Sequence, residues 1–296
     1  MSICLSISGT KIVKKDSHVA TAPQNDKESA IVPKKTIISE FDLSFRDLIC
    51  HFERSREIFF ISLYVKAKKN MLIVLEGLDG AGKSTQVKKL RNYLETNFGR
   101  LEYIHFPRYD APVYGDLISR FLRGDFGNNE TVHPQLVALL FAEDRHGAAP
   151  GIKKTLIEGG NVLLDRYVYS NIAYQCAKLS DEAEADKLRD WIFNTEYGEF
   201  SLPVPDLNIF LDVPIGFVES KLKSHRGGAD RDYLEGGQDI HEADIEFQKR
   251  VRAIYRRQCE LDPKFIRIDC SDDYGEMLPP GAIFAKIQEV VDATIK

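Results

Sequence analysis

An eight-residue loop, Gly77–Ser84, constrains the fold of this chain more than any other feature. Its residues, Gly-Leu-Asp-Gly-Ala-Gly-Lys-Ser, match the spacing G-x-x-x-x-G-K-[ST]. The apolar run Leu72–Leu75 precedes it and has the composition of a strand that is buried on both faces. Leucine and valine residues at helical spacing follow it and predict a helix from Lys83 to about Asn97. The sequence therefore predicts that this loop joins a buried strand to the start of a helix.

The region from Met71 onward alternates short apolar runs with amphipathic stretches, which is typical of a parallel sheet with helical crossovers. Pro134 suits the first turn of a long helix, and Ala282–Ile295 is expected to form a closing helix. We therefore expect an α/β fold, a five-stranded parallel sheet flanked by helices, with ligands at the carboxyl ends of the strands. The five predicted strands are Leu72–Leu75, Tyr103–Phe106, Val162–Leu164, Leu207–Val213 and Phe265–Ile268.

Each residue type in the Gly77–Ser84 loop suits the binding of a phosphate chain. Glycines allow backbone N–H groups to surround the anion, and the amino terminus of the helix adds its positive dipole. Lys83 is expected to contact the β- and γ-phosphates, and the Ser84 hydroxyl is expected to bind Mg²⁺. The chain is therefore predicted to be a P-loop NTPase. The predicted ATP-binding residues are Gly77, Leu78, Asp79, Gly80, Ala81, Gly82, Lys83, Ser84 and Thr85.

The overall composition argues against several classes of partner. A formal net charge of -5 gives no reason to expect nucleic-acid or membrane binding, and 43% hydrophobic with 29% charged residues is typical of a soluble globular protein. The five cysteines are scattered without C-x-x-C spacing, which argues against a disulfide framework and against a zinc site. Free thiols suit a reducing compartment, so a cytoplasmic location is expected.

Residues 1–70 differ from the rest of the chain. The amino-terminal half of this stretch is polar and lacks a sustained hydrophobic period, and the later apolar run Ile58–Val65 is too short to cross a bilayer, which needs about 20 residues. Acidic residues throughout this stretch argue against a mitochondrial transit peptide. We expect residues 1–70 to be a disordered extension or the result of a misassigned start, with Met71 as the native start, and residues 71–296 to form the P-loop domain. A regulatory or targeting arm is the alternative.

A loop of this kind occurs in ATPases, GTPases and kinases, so other signals must distinguish these classes. The guanine-recognition sequence Asn-Lys-x-Asp does not follow the fourth predicted strand, which argues against GTPases. Arginines occur near several predicted strand ends. Transfer of a phosphoryl group between two anionic nucleotides needs many fixed cations and little covalent chemistry, so the sequence favours phosphoryl transfer between small molecules.

Several segments of the second region resemble the thymidylate kinase family, and the resemblance covers nearly all of that region. Glu76–Thr85 resembles the family's phosphate-binding loop, in which a carboxylate at the position of Asp79 contacts the sugar of the acceptor nucleotide. Phe106–Arg108 (Phe-Pro-Arg) resembles the family's Phe-Pro-x-Arg element, although Arg108 follows the proline directly here. The resemblance implies that Arg108 binds the acceptor phosphate.

Two further segments extend the resemblance. Leu139–Arg145 resembles the family's helix in which a Phe stacks on thymine and an Arg one turn later hydrogen-bonds the base, which implies these roles for Phe141 and Arg145. Asp165–Gln175 resembles the segment whose Asp-Arg pair lies over the phosphates and whose next helical turns contact the thymine edge and the deoxyribose. The implied dTMP-binding residues are Asp79, Arg108, Phe141, Arg145, Arg166, Ser170, Asn171 and Tyr174, and the implied Mg²⁺ ligands are Ser84 and Asp165.

Arg226–Arg231, followed by a glycine-rich polar stretch, resembles the family's mobile lid. Gly80 stands where one subclass has an arginine, so the resemblance is to the bacterial-type subclass, whose lid supplies an arginine to the transition state. Arg226 and Arg231 are the two candidates, and the sequence does not rank them. Together with Lys83 and Arg166 they form the predicted catalytic set.

The resemblance implies a homodimer that phosphorylates dTMP to dTDP with ATP, for dTTP synthesis. Two rival classes share the phosphate-binding loop. Another nucleotide or nucleoside kinase would differ at the base- and sugar-contacting residues, and a nucleoside kinase would need a carboxylate base, for which Glu76 and Asp79 are the candidates. A protein that uses ATP as a switch would hydrolyse it slowly and would not respond to dTMP.

Overall fold

The computed structural model describes residues 70–224, 233–235, 239–242 and 244–295. The predicted amino-terminal extension lies outside the described residues except for residue 70, and so do Arg226 and Arg231 of the predicted lid. The strands are β1 (Leu72–Gly77), β2 (Leu101–His105), β3 (Asn161–Asp165), β4 (Leu207–Asp212) and β5 (Phe265–Asp269). The helices are α1 (Lys83–Phe98), α2 (Tyr114–Arg123), α3 (Pro134–Ile157), α4 (Val168–Cys176), α5 (Glu182–Phe193), a π-helical segment (Asn194–Glu199) that continues α5, α6 (Ile215–Lys223), α7 (Ile245–Leu261) and α8 (Pro280–Ile295).

The five described strands are parallel and form one sheet in the order β2-β3-β1-β4-β5. β1, β3 and β4 are buried along their whole length, and for the apolar run Leu72–Leu75 of β1 the sequence predicted this. Because β1 has β3 on one side and β4 on the other, the strand order reverses at β1. Ligands of open α/β sheets bind at such a switch point, beyond the carboxyl ends of the strands.

The turn from β1 into α1 depends on glycine. Gly80 and Gly82 have φ angles of 74° and 78°, in the left-handed region that costs a residue with a side chain roughly 1–2 kcal/mol. Gly82 directly precedes Lys83, the first residue of α1. The two glycines therefore let the chain turn from the end of β1 into the helix within a few residues.

The five predicted strands are all present, and their ends lie within two residues of the predicted ones. The predicted helices at Lys83, at Pro134 and at the carboxyl terminus are also present, and the second of them extends to Ile157. The sequence analysis did not predict α2 or α6, which have 10 and 9 residues. Helices of that length depend on tertiary packing more than on their own propensity.

The helices pack on the sheet in two groups. Helix α1 contacts α8, whereas α4 contacts both α3 and α7. The ring of Tyr255 on α7 stacks on that of Phe210 on β4 with centres 4.7 Å apart, which fixes α7 against the sheet. No described helix is both long enough and apolar enough to span a bilayer.

Candidate active site

A cavity of about 1000 Å³ opens at the carboxyl ends of β1 and β3. This volume is at the upper end of the range for small-molecule sites, about 300–1,000 Å³. The predicted site residues that line it are Asp79, Gly80, Ala81, Gly82, Lys83, Ser84, Thr85, Phe141, Arg145, Asp165, Arg166, Ser170, Asn171 and Tyr174. The structure therefore brings the predicted donor and acceptor residues to one space, while Gly77, Leu78 and Arg108 lie outside its lining.

Lys83 lies beneath the phosphate-binding loop. Its Nζ donates hydrogen bonds to the carbonyl oxygens of Gly77 (3.3 Å) and Leu78 (3.0 Å), so these two residues hold the lysine instead of lining the cavity. Burial lowers the pKa of Lys83 to about 8, and the Arg166 guanidinium acts in the same direction. An anion bound in the loop would favour the charged ammonium, so this position suits a phosphate chain.

Arg166 occupies a strained backbone position directly after β3. Its φ angle is 68°, which costs a non-glycine residue roughly 1–3 kcal/mol. Its backbone N–H donates to the carbonyl oxygen of Leu75 at 3.0 Å and holds the residue beside the end of β1. The guanidinium donates to Asp79 Oδ1 (2.6 Å) and to Ser170 Oγ (3.1 Å). The strained turn therefore holds a cation in the wall of the cavity.

Asp79 joins the phosphate-binding loop to the helices behind it. Its Oδ2 accepts hydrogen bonds from the Tyr174 hydroxyl of α4 (2.6 Å) and from Gln248 Nε2 of α7 (3.3 Å). Burial alone would raise the pKa of Asp79, but the Arg166 and Lys83 cations hold it well below its ordinary value. Asp79 is therefore ionised at neutral pH and is a weak proton acceptor.

The two predicted Mg²⁺ ligands offer oxygen atoms to the cavity. Asp165 ends β3, and its buried Oδ1 makes no hydrogen bond with any described residue. Its Oδ2 lies 3.3 Å from Nδ1 of His105, which is its direct neighbour on β2. Ser84, at the start of α1, is exposed in the same cavity. Carboxylate and hydroxyl oxygens are the ligands that Mg²⁺ prefers, so these two residues fit the ion.

Arg145 and Asn171 meet at a buried carboxylate, Glu196, that the sequence analysis did not single out. Glu196 accepts hydrogen bonds from Arg145 Nε (2.5 Å) and Nη2 (2.7 Å) and from Asn171 Nδ2 (2.8 Å). Asn171 Nδ2 also donates to the carbonyl oxygen of Ala138 at 2.9 Å. Within the described part of the chain, Asn171 Oδ1 has no hydrogen-bond partner, and the two bonds from Arg145 to Glu196 leave Nη1 outside the ion pair.

Phe141 lines the cavity, as predicted for a residue that contacts the base, whereas Arg108 does not line it. Phe141 is half-buried, lines the cavity and meets the ring of Phe121 edge to face with centres 6.4 Å apart. It lies four residues before Arg145 on α3, which places both residues on one helix face. Arg108 instead binds Asp144, since its Nε donates to Oδ1 (2.9 Å) and its Nη2 donates to the carbonyl oxygen (2.6 Å). The structure does not bring Arg108 into the cavity.

Among the residues of the cavity wall that were not predicted, Tyr109, Tyr233, Asp239 and His241 lie close together. The rings of Tyr109 and Tyr233 stack with centres 3.9 Å apart, and the Tyr233 hydroxyl donates to Asp239 Oδ2 at 2.7 Å. Burial raises the pKa of Asp239 to about 7. The only sequence signal for this group was the position of Tyr109, directly after Phe106–Arg108.

Glu76, at the end of β1, is fully buried and is not part of the cavity wall. It accepts hydrogen bonds from the backbone N–H of Tyr167 (2.8 Å) and from the hydroxyls of Ser170 (2.5 Å) and Tyr255 (2.9 Å). Burial raises the pKa of Glu76. These bonds tie β1 to α4 and α7, and they leave the carboxylate enclosed by the protein's own donors.

Comparisons with known proteins agree on one family. A family model described as "Thymidylate kinase" matches residues 75–278. The thymidylate kinase of Mycobacterium tuberculosis is 37% identical over 185 residues, which cover 62% of this chain and 84% of that protein. That of Plasmodium falciparum is 33% identical over 205 residues, covering 69% and 84%. The solved thymidylate kinase of Candida albicans is similar in structure, with a TM-score of 0.56 and 26% identity over 77% of this chain and 94% of that one.

Proposed function

Because the chain belongs to the thymidylate kinase family, it is a phosphotransferase that makes dTDP from dTMP and ATP, and we propose which of its residues carry that reaction. In this proposal dTMP lies against α3 and α4, and the triphosphate of ATP lies on the loop Asp79–Thr85. This proposal is supported by the cavity described above, because residues of α3, of α4 and of the loop Asp79–Thr85 all line it.

The free polar atoms of Arg145 and Asn171 carry the assignment of the base. Both hydrogens of the Asn171 NH₂ group bond Glu196 and Ala138, so Asn171 offers the acceptor Oδ1. Arg145 uses Nε and Nη2 for Glu196 and offers Nη1 as a donor. Thymine offers a donor at N3 beside an acceptor at O4 and matches this pair. Cytosine offers an acceptor at N3 beside an amino donor and matches neither. A buried polar group left unpaired costs about 1–3 kcal/mol, so cytosine is strongly disfavoured.

The rest of dTMP follows from this position of the base. Phe141, one helical turn before Arg145, stacks on the thymine ring. Tyr174 packs beneath the deoxyribose, and Asp79 accepts a sugar hydroxyl. Arg166 binds the phosphate of dTMP, and the hydrogen bond between Tyr174 and Asp79 at 2.6 Å supports grouping these residues around one ligand.

The donor side uses the glycine-rich loop. Backbone N–H groups of the loop and the Lys83 ammonium bind the β- and γ-phosphates of ATP. Ser84 and Asp165 would hold Mg²⁺, which neutralises charge on the same phosphates when it is bound. The free, buried Oδ1 of Asp165 supports this assignment.

The reaction needs fixed cations more than a general base. An oxygen of the dTMP phosphate attacks the γ-phosphorus, and the bond from that phosphorus to the bridging oxygen of ADP breaks in line with the attack. The attacking oxygen is already anionic at neutral pH. Lys83 and Arg166 stabilise the charge that spreads over the transferred group. A nucleoside kinase would instead need a free carboxylate base, and neither the enclosed Glu76 nor the ion-paired Asp79 suits that task.

Other assignments from the sequence remain proposals. Arg226 and Arg231, outside the described residues, are the proposed transition-state arginines of the bacterial-type subclass, and Arg108 is a proposed phosphate contact. A homodimer is proposed, with support from Leu136 and Leu139, which are 66% and 37% exposed one turn apart on α3. We also propose that the protein acts in the cytoplasm, in keeping with free thiols at its described cysteines.

The test is ADP release from Mg·ATP, measured with dTMP, dUMP, dCMP, dGMP, UMP or thymidine as the only acceptor. We expect rapid turnover with dTMP, slower turnover with dUMP and negligible turnover with UMP and thymidine. For dCMP, two mismatched groups should lower kcat/KM by about a hundredfold or more. Faster turnover with dCMP than with dTMP would overturn the base assignment, and release that ignores every acceptor would favour an ATP switch.

A further inference from the structure

Glu196 lies behind the proposed base pocket instead of in it. The residue is fully buried, is not part of the cavity wall and belongs to the π-helical segment that continues α5. Segments with π-helical geometry are rare and occur frequently at functional sites. Its partners Arg145 and Asn171 are 51 and 25 residues away in sequence, so the segment binds one residue of α3 and one of α4.

The carboxylate determines how the Asn171 amide is turned. A carboxylate only accepts hydrogen bonds, so Asn171 must direct its NH₂ group toward Glu196. The carbonyl oxygen of Ala138 takes the second hydrogen of the same group. Because both hydrogens are committed, Oδ1 is the atom that Asn171 offers to a ligand in the cavity it lines.

The same carboxylate determines which edge of Arg145 is free. It binds Nε and Nη2 in the paired geometry that a planar guanidinium and a carboxylate favour. The hydrogens of Nη1 and the second hydrogen of Nη2 lie outside this pair. The arginine is 2% exposed, so it has little freedom to turn another edge toward the cavity.

We propose that Glu196 is a positioning residue that turns the acceptor atom of Asn171 toward the base and fixes which donor edge of Arg145 faces it, and so selects thymine over cytosine. This inference rests on the proposed function, since it assumes that the base lies against these two side chains. This role also explains why a buried ion pair is present here. Apolar side chains of similar volume often stabilise a protein as well as a buried ion pair does, so stability alone does not require the pair.

The decisive variant is Glu196→Gln. A glutamine amide has one acceptor oxygen where Glu196 has two, so it cannot accept from Arg145 Nε, Arg145 Nη2 and Asn171 Nδ2 together. The Asn171 amide would then be held less firmly with Oδ1 toward the base, by Ala138 alone. We expect kcat/KM for dTMP to fall about tenfold to a hundredfold, and that for dCMP to fall less or to rise. The ratio of the two should therefore fall at least about tenfold, through the KM of the acceptor, with the KM for ATP unchanged.

Two further variants separate positioning from general stability. Glu199→Gln makes the same chemical change at an exposed residue of the same π-helical segment and should leave the ratio unchanged. Glu196→Asp keeps a charge beside Arg145 but is too short to hold Arg145 and Asn171 together, so the ratio should fall by about threefold or more. In an Asn171→Ala background, Glu196→Gln should change the ratio less than it does in the otherwise wild-type protein, because only its effect through Arg145 remains.

The outcomes distinguish this inference from the function it rests on. A wild-type enzyme that does not prefer dTMP to dCMP would refute the base assignment itself. A wild-type preference that persists in Glu196→Gln, with both activities lowered equally, would show that Glu196 only stabilises the fold. If Glu196→Gln does not fold, as judged by thermal unfolding, an unchanged ratio in Glu196→Asp would overturn the inference in the same way.

Discussion

Lys178, just after α4, is a half-buried lysine whose ammonium group is buried and poorly compensated. Its Nζ makes no hydrogen bond with any described residue and lies 4.8 Å from the centre of the Phe121 ring. Burial lowers the pKa of Lys178 to about 7, from an ordinary value of 10.5. Replacing it with methionine, which has a similar length and no charge, should therefore stabilise the folded protein at neutral and acidic pH.

The magnitude follows from the two pKa values. At about 1.4 kcal/mol for each pH unit, the interval from about 7 to 10.5 sets an upper limit of about 5 kcal/mol. The face of the Phe121 ring and local relaxation offset part of this cost, so we expect Lys178→Met to stabilise by about 2–4 kcal/mol at pH 6. The unfolded chain binds more protons than the folded one between these pKa values, so wild-type stability should rise with pH through that window. The difference in the free energy of unfolding between Lys178→Met and the wild type should therefore decrease as the pH rises through this window.

Urea unfolding of both proteins at one protein concentration, from about pH 6 to about pH 9.5, measures this difference in the free energy of unfolding. Other titrating groups are common to both proteins and cancel in the difference. Lys88→Met, at an exposed lysine of α1, is the matched control and should give a small difference that does not depend on pH. If the difference in the free energy of unfolding between Lys178→Met and the wild type stays constant over this pH range, the pKa of Lys178 is not lowered in the folded protein.

Three further substitutions test the proposed site. Phe141→Ala should raise the KM for dTMP about fivefold to a hundredfold and leave the KM for ATP unchanged, because it removes a base stack of about 1–3 kcal/mol; equal rises in both would contradict the assignment. Asp165→Asn should raise the Mg²⁺ concentration for half-maximal rate at least about tenfold, measured by magnesium titration. Arg166→Met should lower kcat by about a thousandfold or more in single-turnover assays, whereas a loss below about tenfold would exclude a role in the transition state.

The sequence was sufficient where one local pattern determines one element. The loop Gly77–Ser84 and its flanking apolar run predicted β1 and the start of α1, and most of the loop lines the cavity. The spacing of Phe141 and Arg145 predicted that both share a helix face. The apolar composition of Leu72–Leu75 predicted that this part of β1 would be buried on both faces.

The remaining features depend on contacts between distant segments. Glu196 lies in a stretch without a recognisable motif, and only the fold brings its carboxylate to Arg145. Arg108 was expected to bind phosphate, but the structure pairs it with Asp144, a carboxylate that sequence spacing did not connect to it. In the same way, nothing in the sequence distinguishes Lys178 from an exposed lysine, because its burial depends on Phe121 of another helix.

The most direct test of phosphoryl transfer to dTMP is to follow the labelled phosphate of [γ-³²P]ATP when purified protein is supplied with dTMP and Mg²⁺. We predict that the label appears as the β-phosphate of dTDP and that little inorganic phosphate forms. When dCMP replaces dTMP, it should accept almost no label. Label released as inorganic phosphate at the same rate with or without dTMP would contradict this prediction.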